Sequence, residues 1–403
     1  MIRRFSFVFL FLFVASYGFS QEPICLYLTW QEDPSSTITI QWLTPIEDKT
    51  SLIKYKKLAP LSDLLEYKQE PGSAIPLPQN EPYTIHKVEI KQLTPDTVYE
   101  FTIGQEITRY RFHTMPDTLK ESVRFVVGGA ACPESMPPFE ETCKAAAKQD
   151  PRFVILGGDL AYSVSKKRQR KDDFSRWLSF LKSWSCLMKD SNECLIPLLV
   201  AIGNHEVLGQ YDRSPNDAPF FYSLFAWPGI QGYNALKFCH YMSIIFLDSG
   251  HTHTIYGKQT EWLKNQLKKD QGTPHLFAVY HVPAFPSVRY FRIKECCSIR
   301  RNWVPLFEKY GVSAVFENHD HAYKRTHPLL EGSKDRLGVV YFGDGSWGCE
   351  PRVPKKAERT TYLAKTMQTR QFLLVELTPK KRIFRAITPR GEVIDKYEQE
   401  IIP

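Results

Sequence analysis

Beyond its N-terminal two dozen residues the chain has no apolar run of about 18 residues, the shortest that crosses a bilayer comfortably as a helix. No stable membrane insertion is therefore expected. It also lacks a basic face interleaved with aromatic residues, which excludes nucleic acid as the expected partner. Its 52 Lys and Arg against 44 Asp and Glu leave a net charge of +8 spread over 403 residues. That excess suits an anionic small molecule or a solvated basic surface. There is no solenoid repeat and no long low-complexity linker. The charge run KKRQRKDD at 166–173 reads as a solvated loop. A hydrophobic share of 43% and a charged share of 24% are those of a globular protein, and the length suits one large domain with a smaller companion.

The opening residues, MIRRFSFVFLFLFVASYGFSQEP, place Arg3 and Arg4 before an apolar stretch at 5–15 and small or polar residues up to Gln21. This is the pattern of a signal peptide over 1–20, with cleavage near Ser20, so an exported protein, secreted or periplasmic, is expected. No cysteine stands at the cleavage point, which disfavours a lipoprotein. The nine cysteines would then meet an oxidising compartment, where Cys186 and Cys194, flanking MKDSNE, are the expected pair. An odd count leaves one thiol over.

From 21 to 116 short segments alternate apolar and polar residues between turns, as in SSTITIQWLT, SLIKYKKL, TIHKVEIKQL and VYEFTIG. This predicts a small β-sandwich. LTPDTVYEFTIG resembles the turn and strand of fibronectin type III-like domains, with Tyr99 expected to hydrogen-bond a loop. From 120 to 397 apolar strands alternate with amphipathic helices, predicting a layered α/β domain. The closing strands QFLLVELTPKKRIFRAITPRGEVIDKY are expected at an edge of that domain.

In such sheets the reactive groups collect on loops leaving the carboxyl ends of strands. Those loops carry Asp159 and Tyr162, then Asn204, His205 and Glu206, then His281, then His319, Asp320 and His321. Singly, each Asp reads more often as a helix cap and each His more often as a structural residue. Together, carboxylate, amide oxygen, phenolate and imidazole form a donor set suited to iron, manganese or zinc. If 319–321 is extended, His319 and His321 project to one side.

GGDLAY, GNHE, AVYH and ENHDHAYKR resemble, in order and spacing, the blocks of the purple acid phosphatases of the calcineurin-like metallophosphoesterase superfamily. The likeness extends to ICLYLTWQEDPSSTITIQWLT, to LDSGHTHTIYGKQTEWLKNQL and to FGDGSWG, nearly the whole mature chain. It implies an N-terminal fibronectin type III-like sandwich followed by a four-layer α/β/β/α domain. It also implies a dinuclear centre of Fe(III) with Fe(II), Zn(II) or Mn(II). Asp159 would bridge the metals, Tyr162 and His321 would bind the first, and Asn204, His281 and His319 the second. His205 would contact substrate phosphate and protonate the leaving oxygen. The implied reaction is acid hydrolysis of small phosphomonoesters, with hydroxide from a metal-acidified water attacking phosphorus in line.

One block departs from the pattern. The first strand, RFVVGGAAC, places Gly129 or Ala130 where the resemblance implies an aspartate on the first metal, while its counterpart RFVILGGDLAY keeps Asp159. Water or substrate fills that gap, or Cys132 or Glu134 reaches in, or the first metal is lost. The last outcome would leave an impaired metal- or phosphate-binding relative. Arg289 and Arg292, in PSVRYFRIK, are equally phosphate contacts or exposed cations. Nothing in the pattern bears on oligomeric state.

Overall fold

The structure, a computed structural model, describes residues 22–58, 66–132, 135–164, 171–343 and 345–401. The predicted signal peptide, Glu134 and most of the 166–173 run lie outside the described residues.

Eight strands build the N-terminal sandwich: β1 (Cys25–Thr29), β2 (Ile38–Pro45), β3 (Leu52–Lys57), β4 (Lys68–Pro71), β5 (Ser73–Pro76), β6 (Tyr83–Ile90), β7 (Val98–Ile103) and β8 (Tyr110–His113). They form two four-stranded sheets, ordered β1-β2-β6-β5 and β4-β3-β7-β8. Alternate residues of both sheets, Trp42, Val88, Phe101 and Phe112 among them, meet in one core, as the period-2 pattern requires. The Tyr99 hydroxyl accepts the Thr94 N–H at 2.9 Å, as expected, and pins the turn before its strand.

The larger domain continues with β9 (Val123–Gly128), α1 (Met136–Ala147), β10 (Val154–Gly157), α2 (Phe174–Leu187), β11 (Leu198–Ala201), α3 (Pro219–Leu224), β12 (Asn234–Phe238) and β13 (Met242–Phe246). Next come α4 (Lys258–Asp270), β14 (His275–Val279), α5 (Lys294–Asn302), α6 (Val304–Lys309), β15 (Ala314–Phe316), β16 (Tyr323–Thr326), β17 (Leu329–Leu330), β18 (Ser333–Lys334) and β19 (Val340–Gly343). The chain closes with β20 (Leu363–Met367), β21 (Phe372–Leu377), β22 (Lys381–Ile387) and β23 (Val393–Glu400).

Two sheets face each other, ordered β11-β10-β9-β21-β22-β23 and β12-β13-β14-β15-β19-β16-β20. Phe125 and Phe153 of the first meet Phe277 and Phe316 of the second. Helices α1 and α2 cover the outer face of the first sheet, and α4 to α6 that of the second, giving the expected α/β/β/α layers. The C-terminal strands are not merely an edge. β21 pairs with β9 from Leu373↔Val127 to Leu377↔Val123, inside the sheet, because its alternate residues Phe372 and Leu374 face the α1–α2 layer.

The two domains share buried polar contacts. The Leu224 carbonyl accepts from Tyr27 Oη at 2.5 Å and from Gln41 Nε2 at 2.6 Å, while Gln41 Oε1 accepts the Ala226 N–H at 3.1 Å.

Two sequence expectations fail here. Cys186 and Cys194 are not bridged; Cys186 is exposed near the end of α2 and Cys194 is buried, bridging backbone to Arg111. The 166–173 run is not wholly solvated either. Asp172 is fully buried and accepts from Trp177 Nε1 at 3.2 Å, and Asp173 caps α2 through the Ser175 N–H.

Candidate metal centre

The site forms where strand ends of the two sheets converge. β9, β10 and β11 run parallel, as do β14 and β15, so their carboxyl ends point one way. Just beyond β10 stands Asp159, beyond β11 Asn204, beyond β14 His281, and beyond β15 His319 and His321. The sheets are tied together there. His281 Nδ1 lies 2.9 Å from the Gly157 carbonyl, and the Asn318 N–H donates to the His281 carbonyl at 3.0 Å.

Glu206 shapes the loops around the carboxylate. Its fully buried side chain accepts backbone N–H groups of Asp159 at 2.7 Å, Leu160 at 2.8 Å and Gly203 at 2.9 Å. Asp159 Oδ1 accepts the His205 N–H at 2.8 Å. Asp159, Tyr162 and His321 all hold left-handed backbone, with φ of 55°, 52° and 57°, conformations that non-glycine residues adopt at a cost and that cluster at functional sites. At His321 this overturns the extended reading of 319–321. The left-handed residue turns its ring to Tyr162, whereas His319 turns to His281.

On the His281 side, ligand atoms of Asp159, His281 and His319 lie within 4.8 Å of one another. A neutral imidazole carries one N–H. With that proton on Nδ1, donated to the Gly157 carbonyl, Nε2 of His281 is an acceptor. It lies 3.0 Å from Asp159 Oδ2, an oxygen that is buried and receives no hydrogen bond. Asn204 Oδ1 is likewise buried and unpartnered. An orphaned carboxylate oxygen, an orphaned amide oxygen and two imidazoles whose ring nitrogens lie 2.9 Å apart describe a place for a cation, and the N and O donors fit iron, zinc or manganese. The carbonyl behind His281 is the kind of outer partner that fixes a ligating imidazole.

Burial alone would raise the Asp159 carboxyl, but the neighbouring His281, His205 and His319 outweigh it and hold it well below the usual range. Burial, then His281 and Arg289, push His319 well down.

The other side is different. Tyr162 Oη lies 3.0 Å from His321 Nε2, and Cys349 Sγ donates to Tyr162 Oη at 2.9 Å. Burial raises the Tyr162 hydroxyl well above its ordinary range, with Cys349 and Asp159 adding to it. Burial, then Arg352, lowers His321 to about 3. Protonated thiol, protonated phenol and neutral imidazole therefore form a donor–acceptor chain that satisfies itself. Gly129 supplies no ligand atom, and a β-carbon there would meet Asn318 Cβ at 2.6 Å and Oδ1 at 2.8 Å. A β-carbon on Gly157 would meet Asn318 Nδ2 at 1.8 Å. On this side the residues do not fit a metal.

Cys132 does not take the vacant role, because its Sγ contacts Met136 Sδ at 3.1 Å. The cysteine that reaches the site is Cys349, brought in by its N–H to the Ala130 carbonyl at 3.3 Å. Nothing in sequence spacing singled it out, and Asn318, though inside ENHDHAYKR, carried no signal of its own. His205 is half-buried, its Nδ1 2.7 Å from the Val164 carbonyl and its ring stacked on Tyr162 with centroids 4.3 Å apart. Arg289 donates to the His319 carbonyl at 2.8 Å and to Asp320 Oδ1 at 2.7 Å, holding the histidine loop. Arg292 is exposed. No described helix is long and apolar enough to cross a membrane.

Residues 23–114 match the model for the purple acid phosphatase N-terminal domain. Purple acid phosphatase 15 of Arabidopsis thaliana is 26% identical over 377 residues, covering 81% of this chain and 68% of that protein. Over most of its length the chain is similar to purple acid phosphatases. A solved purple acid phosphatase from yellow lupin seeds shares the fold with a TM-score of 0.73 at 16% identity, over 93% of this chain and 73% of that one. The fold also matches GAP50, the anchor in the inner membrane complex of Plasmodium, with a TM-score of 0.53 at 14% identity, over 70% of this chain and 90% of that one. For a purple acid phosphatase relative a two-metal site is implied, and this chain meets that pattern on one side only.

Proposed function

We propose that this chain is an exported, metal-dependent hydrolase of small phosphomonoesters that works in mildly acid solution. The observation that carries the reading is the buried Asp159 Oδ2, which accepts no hydrogen bond and lies 3.0 Å from His281 Nε2, with Asn204 and His319 alongside. These four residues would hold the metal, and relatives named as purple acid phosphatases support its use on phosphate esters. A bound iron, zinc or manganese ion supplies neutralisation of phosphate charge and acidification of water at the site.

The chain's own groups then have defined tasks. Asp159 stays ionised as a ligand. His205, with Nδ1 held by the Val164 carbonyl, keeps Nε2 available to carry a proton for the leaving oxygen. Arg289 sets the His319–Asp320 loop, and its charge reaches His319. Arg292 is a surface contact for phosphate. Export rests on the N-terminal signal pattern.

The test is p-nitrophenyl phosphate hydrolysis by the purified mature chain at pH 5–7 with iron, zinc or manganese. Turnover should vanish in Asp159→Asn and fall about 10²–10⁴-fold in His205→Ala. Absence of turnover with all three metals overturns the hydrolase reading. A second reading, an impaired relative that binds metal and phosphorylated ligands, is favoured by the missing carboxylate at Gly129. In that case metal would still bind and raise the melting temperature without turnover.

A further inference from the structure

We infer that the centre holds a single metal ion, on Asp159, Asn204, His281 and His319, and that the second metal's place is filled by the Asn318 carboxamide and closed by the Cys349–Tyr162–His321 hydrogen-bond chain. The inference rests on the metal-dependent reading above and refines the same site.

Two independent observations support it. The first is steric. Asn318 is buried, 2% exposed, with its side chain lying over two glycines at once. Its Cβ and Oδ1 stand 2.6 and 2.8 Å from where a β-carbon on Gly129 would be, and its Nδ2 only 1.8 Å from where one on Gly157 would be. The Nδ2 group donates to the Tyr280 carbonyl at 3.3 Å, so the carboxamide is held where it is. Real β-carbons do not approach other atoms so closely. As placed, the Asn318 side chain occupies the space that a side chain at 129 would need, and a β-carbon at 129 or 157 would require it to move.

The second observation concerns protons. On the His281 side two buried oxygens, Asp159 Oδ2 and Asn204 Oδ1, receive no hydrogen bond, and a cation or an added proton resolves that arrangement. On the Tyr162 side each group brings its own proton. The thiol donates to the phenol oxygen at 2.9 Å and the phenol hydroxyl donates to His321 Nε2 across 3.0 Å. Cys349 is 3% and His321 7% exposed, so the chain of bonds is shielded from water. A metal entering there would have to break the phenol–imidazole bond and displace the phenol proton, without a carboxylate at 129 to offset its charge.

The experiment is metal stoichiometry. Full-length mature protein is stripped and reconstituted separately with iron, zinc and manganese, and metal per chain is measured by elemental analysis alongside the visible spectrum. One ion per chain, with no absorption band from phenolate bound to ferric iron, is the expected result. Two ions per chain overturn the inference and leave the metal-dependent reading standing; if Cys349→Ala then lowers two to one, the thiolate is the replacement ligand. No bound metal of any kind overturns both. The double variant Gly129→Asp with Asn318→Gly should gain a second ion. Gly129→Asp alone should bind no more than one and melt at lower temperature than the double variant. A single Gly129→Asp variant that folds with unchanged melting temperature and binds two ions shows that Asn318 does not block the place.

Discussion

His281 Nε2 lies 3.0 Å from Asp159 Oδ2 and 2.9 Å from His319 Nδ1, and that carboxylate oxygen is buried and accepts no hydrogen bond. An unpartnered buried oxygen is costly in the metal-free chain and becomes an asset when a cation arrives. Asp159→Asn places a donor there instead. The metal-free variant should therefore melt no lower than the metal-free parent. Added zinc or manganese should no longer stabilise it, whereas the parent should gain about 2.7 kcal/mol at a hundredfold excess over Kd. Thermal melts with and without metal check this.

Glu206 tests how far the centre depends on its support. All three backbone N–H groups it accepts lie on the loops that present Asp159 and Asn204. Glu206→Gln retains the shape but points amide hydrogens at backbone donors. It should cost about 1–3 kcal/mol and weaken metal affinity about 10–100-fold, measured by denaturation and by metal titration.

Beneath the His319 loop lies a buried ion pair. Glu317 and Lys324 are both 0% exposed and in direct contact, and Glu317 also accepts from Tyr280 Oη at 2.8 Å and the Ala284 N–H at 2.6 Å. Lys324→Met leaves the carboxylate buried without its counter-ion and should cost about 3–5 kcal/mol. The double variant with Glu317→Gln should recover part of that loss, as a double-mutant cycle in urea would show.

His275 predicts an acid limit to stability. It opens β14 in the interior, where burial and then Arg382 on β22 lower its pKa to about 3, against a small opposing contribution from the Thr378 backbone. The unfolded chain takes up the proton near pH 6.5 and the folded chain only near pH 3. Stability from this residue is thus complete above about pH 6.5 and declines by about 1.4 kcal/mol per pH unit as pH falls toward 3. His275→Phe, which removes the titrating group from a site beside Phe277, should flatten that slope. Urea midpoints between pH 4 and 7 measure it.

Much of this was legible in the sequence because it depends on local pattern. Period-2 alternation marked the sandwich, since a strand with one buried face must alternate. Apolar strands between amphipathic helices marked the layered domain, since a sheet covered on both faces has no polar side. The gathering of the loops that carry Asp159, Asn204, His281 and His319 was readable because parallel strands deliver their following loops to one edge, whatever the rest of the chain does. Signals failed where a contact joins segments far apart. Cys186 and Cys194 are near in sequence but face different surroundings. Cys349 and Tyr162 are 187 residues apart and touch.

The sequence by itself determined that a carboxylate is missing after RFVVGG, because that is a matter of which residue stands where. It could not determine what replaced it. That was decided by tertiary packing, which lays Asn318 from the loop after β15 over Gly129 after β9 and Gly157 at the end of β10, because residues so far apart in the chain meet only once the two sheets fold face to face.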